Sequence, residues 1–362
     1  MSKKIVCLLL ATILAVSVAS CGGSKKEPQK ENKAVLYEKS ELNIGSEIIA
    51  PGNFLMNLKD KLVLYDQASK PAVYTILAAN GTTEEEIKCE FSGNGNVFAL
   101  DGNDNLYALA GNDNGGITEK AVDEAKMQIY IYNSKGEKAG VLNLGKASAG
   151  KGTLAGITDM VVDVKENIYL LKYGESIVAY DKAGKQSDSF RTKGCTGIES
   201  DGKNGIIVIG DGSRGTKPYI EKLDCTTGKS IWKINPDSSE IPRLVSYSRW
   251  DNCIYVMNAQ GITKYDAEGK HAGYVFEFKT YNVTGIDETI SGFSIDSSNN
   301  LYFSVTNSKD QKADILKFIP ALNGKVAKKI DNNIPLTLSM PDGMSFNMQS
   351  IISGFNKLYP DI

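Results

Sequence analysis

Four features of the chain hold residue types that could do chemistry, and each lacks a part it would need. Gly145-Lys-Ala-Ser-Ala-Gly150-Lys151-Gly152-Thr153 has the glycine and lysine spacing of a phosphate-cradling loop and follows the strand-like Val141-Leu-Asn-Leu. Gly152 stands where a hydroxyl would hold Mg²⁺, and no amphipathic helix follows to offer its N–H groups to phosphate. Asp101-Gly-Asn103-Asp-Asn105 opens like a calcium loop, but Leu106 takes the place of the bend glycine and Asn112 that of the bidentate glutamate. Gly93-Asn-Gly95-Asn-Val-Phe98 lacks the third glycine of a dinucleotide fingerprint. All three read as loops or turns. His271 is the one histidine, so multi-histidine metal sites are excluded and any Ser-His-Asp or Cys-His catalysis would rest on one turn residue. The residues argue for a protein that is not an enzyme and requires no cofactor or metal.

The elements that would position such residues repeat along the chain. The 362 residues are 41% hydrophobic and 23% charged, an ordinary globular composition. A net charge of −2 argues against nucleic acid as a partner. Between residues 54 and 320 one pattern returns: an apolar strand, an Asp-led turn, an Asn, then a strand with Tyr. Val97-Phe-Ala-Leu-Asp101-Gly-Asn-Asp-Asn105-Leu-Tyr107, Met160-Val-Val-Asp163-Val-Lys-Glu-Asn167-Ile-Tyr169 and Phe293-Ser-Ile-Asp296-Ser-Ser-Asn-Asn300-Leu-Tyr302 are the clear copies. Weaker ones begin at Phe54, Ile198 and Tyr247. A second signature follows four of them, as in Tyr180-Asp181-Lys-Ala-Gly184 and Tyr265-Asp266-Ala-Glu-Gly269, with looser forms at Asn133-Ser-Lys-Gly136 and Asp224-Cys-Thr-Thr-Gly228. Each is a hairpin turn, with Asp or Asn bonding its own backbone and Gly taking φ > 0. Those glycines fall 48, 44 and 41 residues apart.

Six copies of about four short strands, at a period of roughly 40–50 residues, spell β-propeller blades. The pattern resembles six-bladed propellers of the NHL/YWTD-like kind over residues 34–330. One blade cannot bury both its faces, whereas a ring of stacked blades can. Residues 34–50 are the candidate for the strand that completes the last blade. The Asp, Asn and Tyr of the repeat are read as turn and packing residues. If the propeller binds a ligand, the loops leading into the inner strands ring one mouth of its channel. They offer Asp159, Arg191, Lys193, Arg243, Tyr281 and Asp287, with Trp250 near Arg243 in sequence.

The first 20 residues read as an export signal. Lys3 and Lys4 precede the 14-residue apolar run Ile5 to Val18, short for a membrane span and suited to a signal-peptide core. Val18-Ala19-Ser20-Cys21-Gly22 resembles the lipobox of bacterial lipoproteins, which implies cleavage before Cys21 and lipidation of its thiol. The implied location is the extracytoplasmic face of a bacterial cell membrane, with acyl chains such as palmitate as the anchor. Residues 21–33, rich in Gly, Ser, Lys, Glu and Pro, read as a flexible tether, and its last twelve reach roughly 40 Å when extended. Cys89, Cys195, Cys225 and Cys253 remain, free to pair in three ways or to stay buried thiols.

Residues 331–362 read as a strand at Leu336 to Met340 and a helix capped by Ser345, with Met348, Ile351, Ile352 and Phe355 on one face. Phe355-Asn-Lys357-Leu-Tyr359-Pro360-Asp361-Ile362 resembles the first helix of solute-binding proteins of ABC importers, with Met340-Pro341-Asp342 in place of their usual aromatic. The resemblance implies an α/β solute-binding domain beginning here and an importer permease as partner. The alternative is a helix capping a complete propeller that acts as a protein or glycan interaction module. The first is favoured because Pro-Asp-Ile is common before a second strand. The expected fold is all-β with this short strand-helix addition.

Overall fold

The computed structural model describes residues 36–42, 44, 51–66, 69, 71–91, 95–110, 126–146, 157–190, 192–281, 283, 288–307 and 313–321. The segments read as an export signal, a tether and a C-terminal strand and helix lie outside the described residues, as does the glycine-rich stretch beyond Lys146, whose Gly145 and Lys146 belong to a strand.

Among the described residues, twenty-four strands form six four-stranded antiparallel sheets. Blade 1 is β2 to β5 (Pro51–Met56, Leu62–Asp66, Val73–Leu77, Thr83–Lys88) and blade 2 is β6 to β9 (Phe98–Leu100, Leu106–Ala110, Lys126–Tyr132, Lys138–Lys146). Blade 3 is β10 to β13 (Ile157–Val162, Ile168–Lys172, Ser176–Tyr180, Gln186–Phe190). Blade 4 is β14 to β17 (Cys195–Ser200, Gly205–Asp211, Pro218–Asp224, Ser230–Ile234). Blade 5 is β18 to β21 (Leu244–Ser248, Cys253–Met257, Gly261–Tyr265, His271–Glu277), followed by the single turn of helix α1 (Phe278–Tyr281). Blade 6 takes β22 to β24 (Glu288–Ile295, Leu301–Asn307, Ala313–Pro320) and, as its outermost strand, β1 (Tyr37–Ser40). Tyr37 to Ser40 pair antiparallel with Pro320 to Lys317, so the chain's first described strand closes the ring.

The hydrophobic core is divided among the seams between blades. Val63, Tyr74, Phe98 and Leu106 join blades 1 and 2. Ala99, Leu109, Met160 and Leu170 join blades 2 and 3. Val161, Leu171, Ile198 and Val208 join blades 3 and 4. Blade 4 meets blade 5 through Ile207, Ile209, Ile254 and Val256, blade 5 meets blade 6 through Tyr255, Phe276, Phe303 and Phe318, and blade 6 meets blade 1 through Tyr302, Phe54 and Leu64. Strand alternation explains this division. In β15, Ile206 and Val208 face one neighbour while Ile207 and Ile209 face the other, and all four are buried. The outermost strands turn polar, as in the Thr83-Glu84-Glu85-Glu86 of β5.

The repeated Asp, Asn and Tyr have the turn roles expected of them. Asp163 Oδ1 accepts the amides of Lys165 and Asn167 at 2.8 and 2.9 Å, and its Oδ2 accepts Asn167 Nδ2 and the Tyr169 hydroxyl at 2.9 and 3.0 Å. Asp296 repeats the set with Ser298, Asn300 and Tyr302. Asp101 does so with Asn103 and Asn105. In blade 4 a Lys222 ion pair to Asp201 at 2.9 Å stands in for the missing Asn and Tyr. The second signature also closes hairpins as read, with Asp181 and Asp266 each accepting two amides of their own turn and Gly184 and Gly269 at φ +79 and +82. Cys89, Cys195, Cys225 and Cys253 are free thiols, the first three buried.

Candidate functional site

The first strand of each blade is innermost, and these six strands surround an axial channel. Three connected cavities follow its axis. One opens at the turns between first and second strands (the turn mouth, about 360 Å³), one forms a waist of about 110 Å³, and one opens at the loops leading into the inner strands (the loop mouth, about 310 Å³). Glu199 lines all three, Asp159 the waist and loop mouth, and Arg249 the waist and turn mouth.

The two carboxyls are set in place by local backbone irregularity. In β10 and β14 the register slips by one residue, between Ile157 and Asp159 and between Cys195 and Gly197. Such bulges re-aim the side chains that follow them. An inner strand also presents one unpaired edge to the channel, whose N–H groups need acceptors. Asp159 supplies one: it accepts its neighbour Met160 at 2.9 Å and, across the seam, the Ile198 amide of blade 4 at 3.3 Å. Glu199 accepts Ser200 at 2.9 Å and reaches the Tyr247 amide of blade 5. Each carboxyl therefore bridges from its own blade to the next.

Burial in the channel disfavours the charged forms of both. Glu199 is pushed up to about 8 by desolvation and by the nearby charge of Asp159, against its backbone hydrogen bonds and the Arg249 guanidinium, which pull the other way. Asp159 is pushed up to about 6 by desolvation, opposed by its two amide partners. At neutral pH Glu199 thus carries its proton and Asp159 is largely ionised.

The turn mouth has a different character. Its aspartates are committed: Asp101 and Asp163 to their own turns, as described, and Asp201 to the amides of Lys203 and Gly205 at 2.8 and 2.9 Å as well as to Lys222. Arg249 and Lys203 make no ion pair within 4.0 Å among the described residues. Lys203 donates to the neutral Asn252 Oδ1 at 2.9 Å, and that oxygen also accepts the Tyr247 hydroxyl at 2.6 Å. Trp250, 45% exposed, lines the channel beside Arg249, and Val164 stands 53% exposed at the rim. Hydrogen bonds between blades hold this rim: Leu58 donates to Asp104 at 2.7 Å and Ser297 to Asp60 at 2.9 Å.

Of the residues expected at a binding mouth, Asp159 lines the channel. Arg243 is exposed, donates its amide to Met257 at 2.8 Å and lines none of the three cavities. Tyr281 lies in the seam between blades 5 and 6. Its ring stacks on Phe276 with centroids 4.3 Å apart, and its hydroxyl accepts the Tyr37 amide of the closing strand at 2.9 Å. The Lys193 side chain is exposed. Arg191 and Asp287 lie outside the described residues, as does Cys21. Sequence reasoning missed Glu199 and Arg249. The available signals were an acid in the middle of a first strand, Cys195–Ser200, and an Arg249-Trp250 pair at the turn where the clear copies begin with Asp. His271 is exposed on the outermost strand of blade 5, against Tyr265 and Tyr274, and takes no part in the channel.

The sheet pairings define the chain as a six-bladed β-propeller with a polar axial channel. No family model and no curated protein matches it. Among solved structures it is similar to hydrazine synthase of Kuenenia stuttgartiensis (14% identity over 74% of this chain and 79% of that one, TM-score 0.45). It is also similar to a gluconolactonase of Xanthomonas campestris (12%, 79% and 96%, 0.48) and virginiamycin B lyase of Staphylococcus aureus (10%, 78% and 99%, 0.48). The likeness to these enzymes is one of architecture.

Proposed function

We propose that the chain is a lipid-anchored, extracytoplasmic binding protein that holds a small solute or glycan at its axial channel without transforming it. The observation that carries this reading is the channel itself. It converges from six blades, combines an exposed aromatic with cations that make no ion pair within 4.0 Å among the described residues, and keeps the single histidine on an outer strand. A concave site with a few polar groups set by rigid strands is the geometry of small-ligand binding. The Val18-Ala-Ser-Cys21 sequence supports the anchor, since two acyl chains hold a protein stably at a bilayer where one is marginal. Phe355 to Ile362 supports the narrower role, a propeller carried by the solute-binding component of an importer.

Metabolic labelling with palmitate tests the anchor. The wild-type chain takes up label and sediments with membranes. Cys21→Ala takes up none and moves to the soluble fraction. Unchanged retention of Cys21→Ala would overturn the lipoprotein reading.

A further inference from the structure

The turn mouth carries more than a general capacity to bind, because its charges are unevenly committed. Asp101, Asp163 and Asp201 line it, yet their oxygens are filled by amides of their own turns, by Asn105, Asn167 and Tyr169, and by Lys222. Arg249 and Lys203 have no such partners: the one lacks an ion pair among the described residues, and the other rests on a neutral amide oxygen. The Arg249 charge reaches the carboxyls of Glu199 and Asp104, but with no ion pair closer than 4.0 Å among the described residues its planar fork is open for a two-pronged grip on an incoming carboxylate. Trp250, next in the chain and lining the adjoining waist with Arg249, offers an aromatic face for the C–H face of a ring. Below them the walls are hydroxyls, amides and carboxyls, among them Ser200, Asn252 and Glu199, which suit a ligand dense in hydroxyl groups. Glu199, neutral at pH 7 because burial pushes it up to about 8, adds no repulsion to an anion and can donate a hydrogen bond. A cavity of about 360 Å³ lies at the small end of ligand sites, typically about 300–1,000 Å³, and admits the end of a chain rather than a long stretch of it.

From this geometry we propose that the turn mouth binds an acidic saccharide, its carboxylate held by Arg249, its ring face by Trp250 and its hydroxyls by Lys203, Asn252 and Ser200. The proposal rests on the binding reading above and names its ligand class.

The test uses the full-length chain in detergent, titrated by calorimetry and tryptophan fluorescence with trigalacturonate, with its methyl ester and with the neutral trisaccharide of N-acetylglucosamine. The ester keeps every ring and ring hydroxyl and caps each carboxylate with a methyl group, removing its charge. The acid binds, and the ester binds about tenfold or more weakly, the loss of one charge-assisted contact. Arg249→Gln erases that preference, and Trp250→Ala weakens acid and ester alike. Both side chains are exposed, so circular dichroism of the two variants stays that of the wild type. Equal binding of acid and ester, or a preference that survives Arg249→Gln, overturns the acidic assignment. Binding of only the neutral trisaccharide, lost in Trp250→Ala, overturns it too but keeps the channel as a binding site. Silence from all three sugars overturns the assignment, whereas the anchor stands or falls separately on Cys21→Ala.

Discussion

Asp163 satisfies four donors at one turn, two amides, the Asn167 side chain and the Tyr169 hydroxyl, and only one oxygen pair fits all of them. Asp181 accepts two amides at an exposed hairpin, where water can replace it. Asp163→Ala is therefore expected to cost roughly 2–4 kcal/mol and Asp181→Ala about 1 kcal/mol or less, since stranding a buried donor costs more than losing a solvated bond. Urea unfolding of the two variants checks this. Equal losses would mean that the buried network has no special weight. These roles were legible in the sequence because Asp, Asn and Tyr recur at one spacing in several blades. Glu199 and Arg249 occur in one blade each, so no repetition marked them, and what distinguishes them is what stands opposite.

At the scale of elements, β1 decides whether the ring closes. It supplies only four residues, but it covers the edge of β24 and buries Tyr37 against Phe276 and Tyr281. Removing residues 34–41 should leave β24 as an open edge and blade 6 half-covered. We expect a lower melting midpoint and concentration-dependent aggregation, since an exposed edge pairs with other chains. Tyr281→Phe, which loses one hydrogen bond to that strand, should cost only about 1 kcal/mol. Thermal melts with light scattering check both, and a monomeric, equally stable deletion would show that β1 is dispensable. The sequence pointed to residues 34–50 as the closing strand without fixing which residues pair. The alternation there is weak, and the register depends on β24, almost 300 residues away. Tyr281 reads as a loop residue in the sequence. Its packing role appears only once Phe276 and Tyr37 are brought beside it.

For the whole molecule, ring closure sets the protonation of the channel. Glu199 is surrounded by inner strands of several blades, and folding raises it from 4.5 to about 8. Between those values the folded chain binds more protons than the unfolded one, so stability falls as pH rises, by at most about 1.4 kcal/mol per pH unit for that proton. Asp159 adds to the slope between 3.8 and about 6. The melting midpoint should therefore decline from pH 5 to pH 8.5, and Glu199→Gln, which cannot ionise, should flatten the decline above pH 6. An unchanged slope in Glu199→Gln would place the titration elsewhere.

The sequence by itself determined the repeat, the turn chemistry, the strand alternation and the number of blades, because each is a local rule written several times over. The proposed lipid anchor rests on a handful of adjacent residues, Val18 to Cys21, that resemble a lipobox. Only the tertiary structure decided which side chains meet. Asp159 and Glu199 bridge to backbone of the next blade, Tyr281 latches the closing strand, and Arg249 stands at a channel lined from all six blades with no ion pair within 4.0 Å among the described residues. The reason is geometric: a propeller places each site between blades some 40 residues apart in sequence. No local pattern records what the neighbouring blade leaves unpaired.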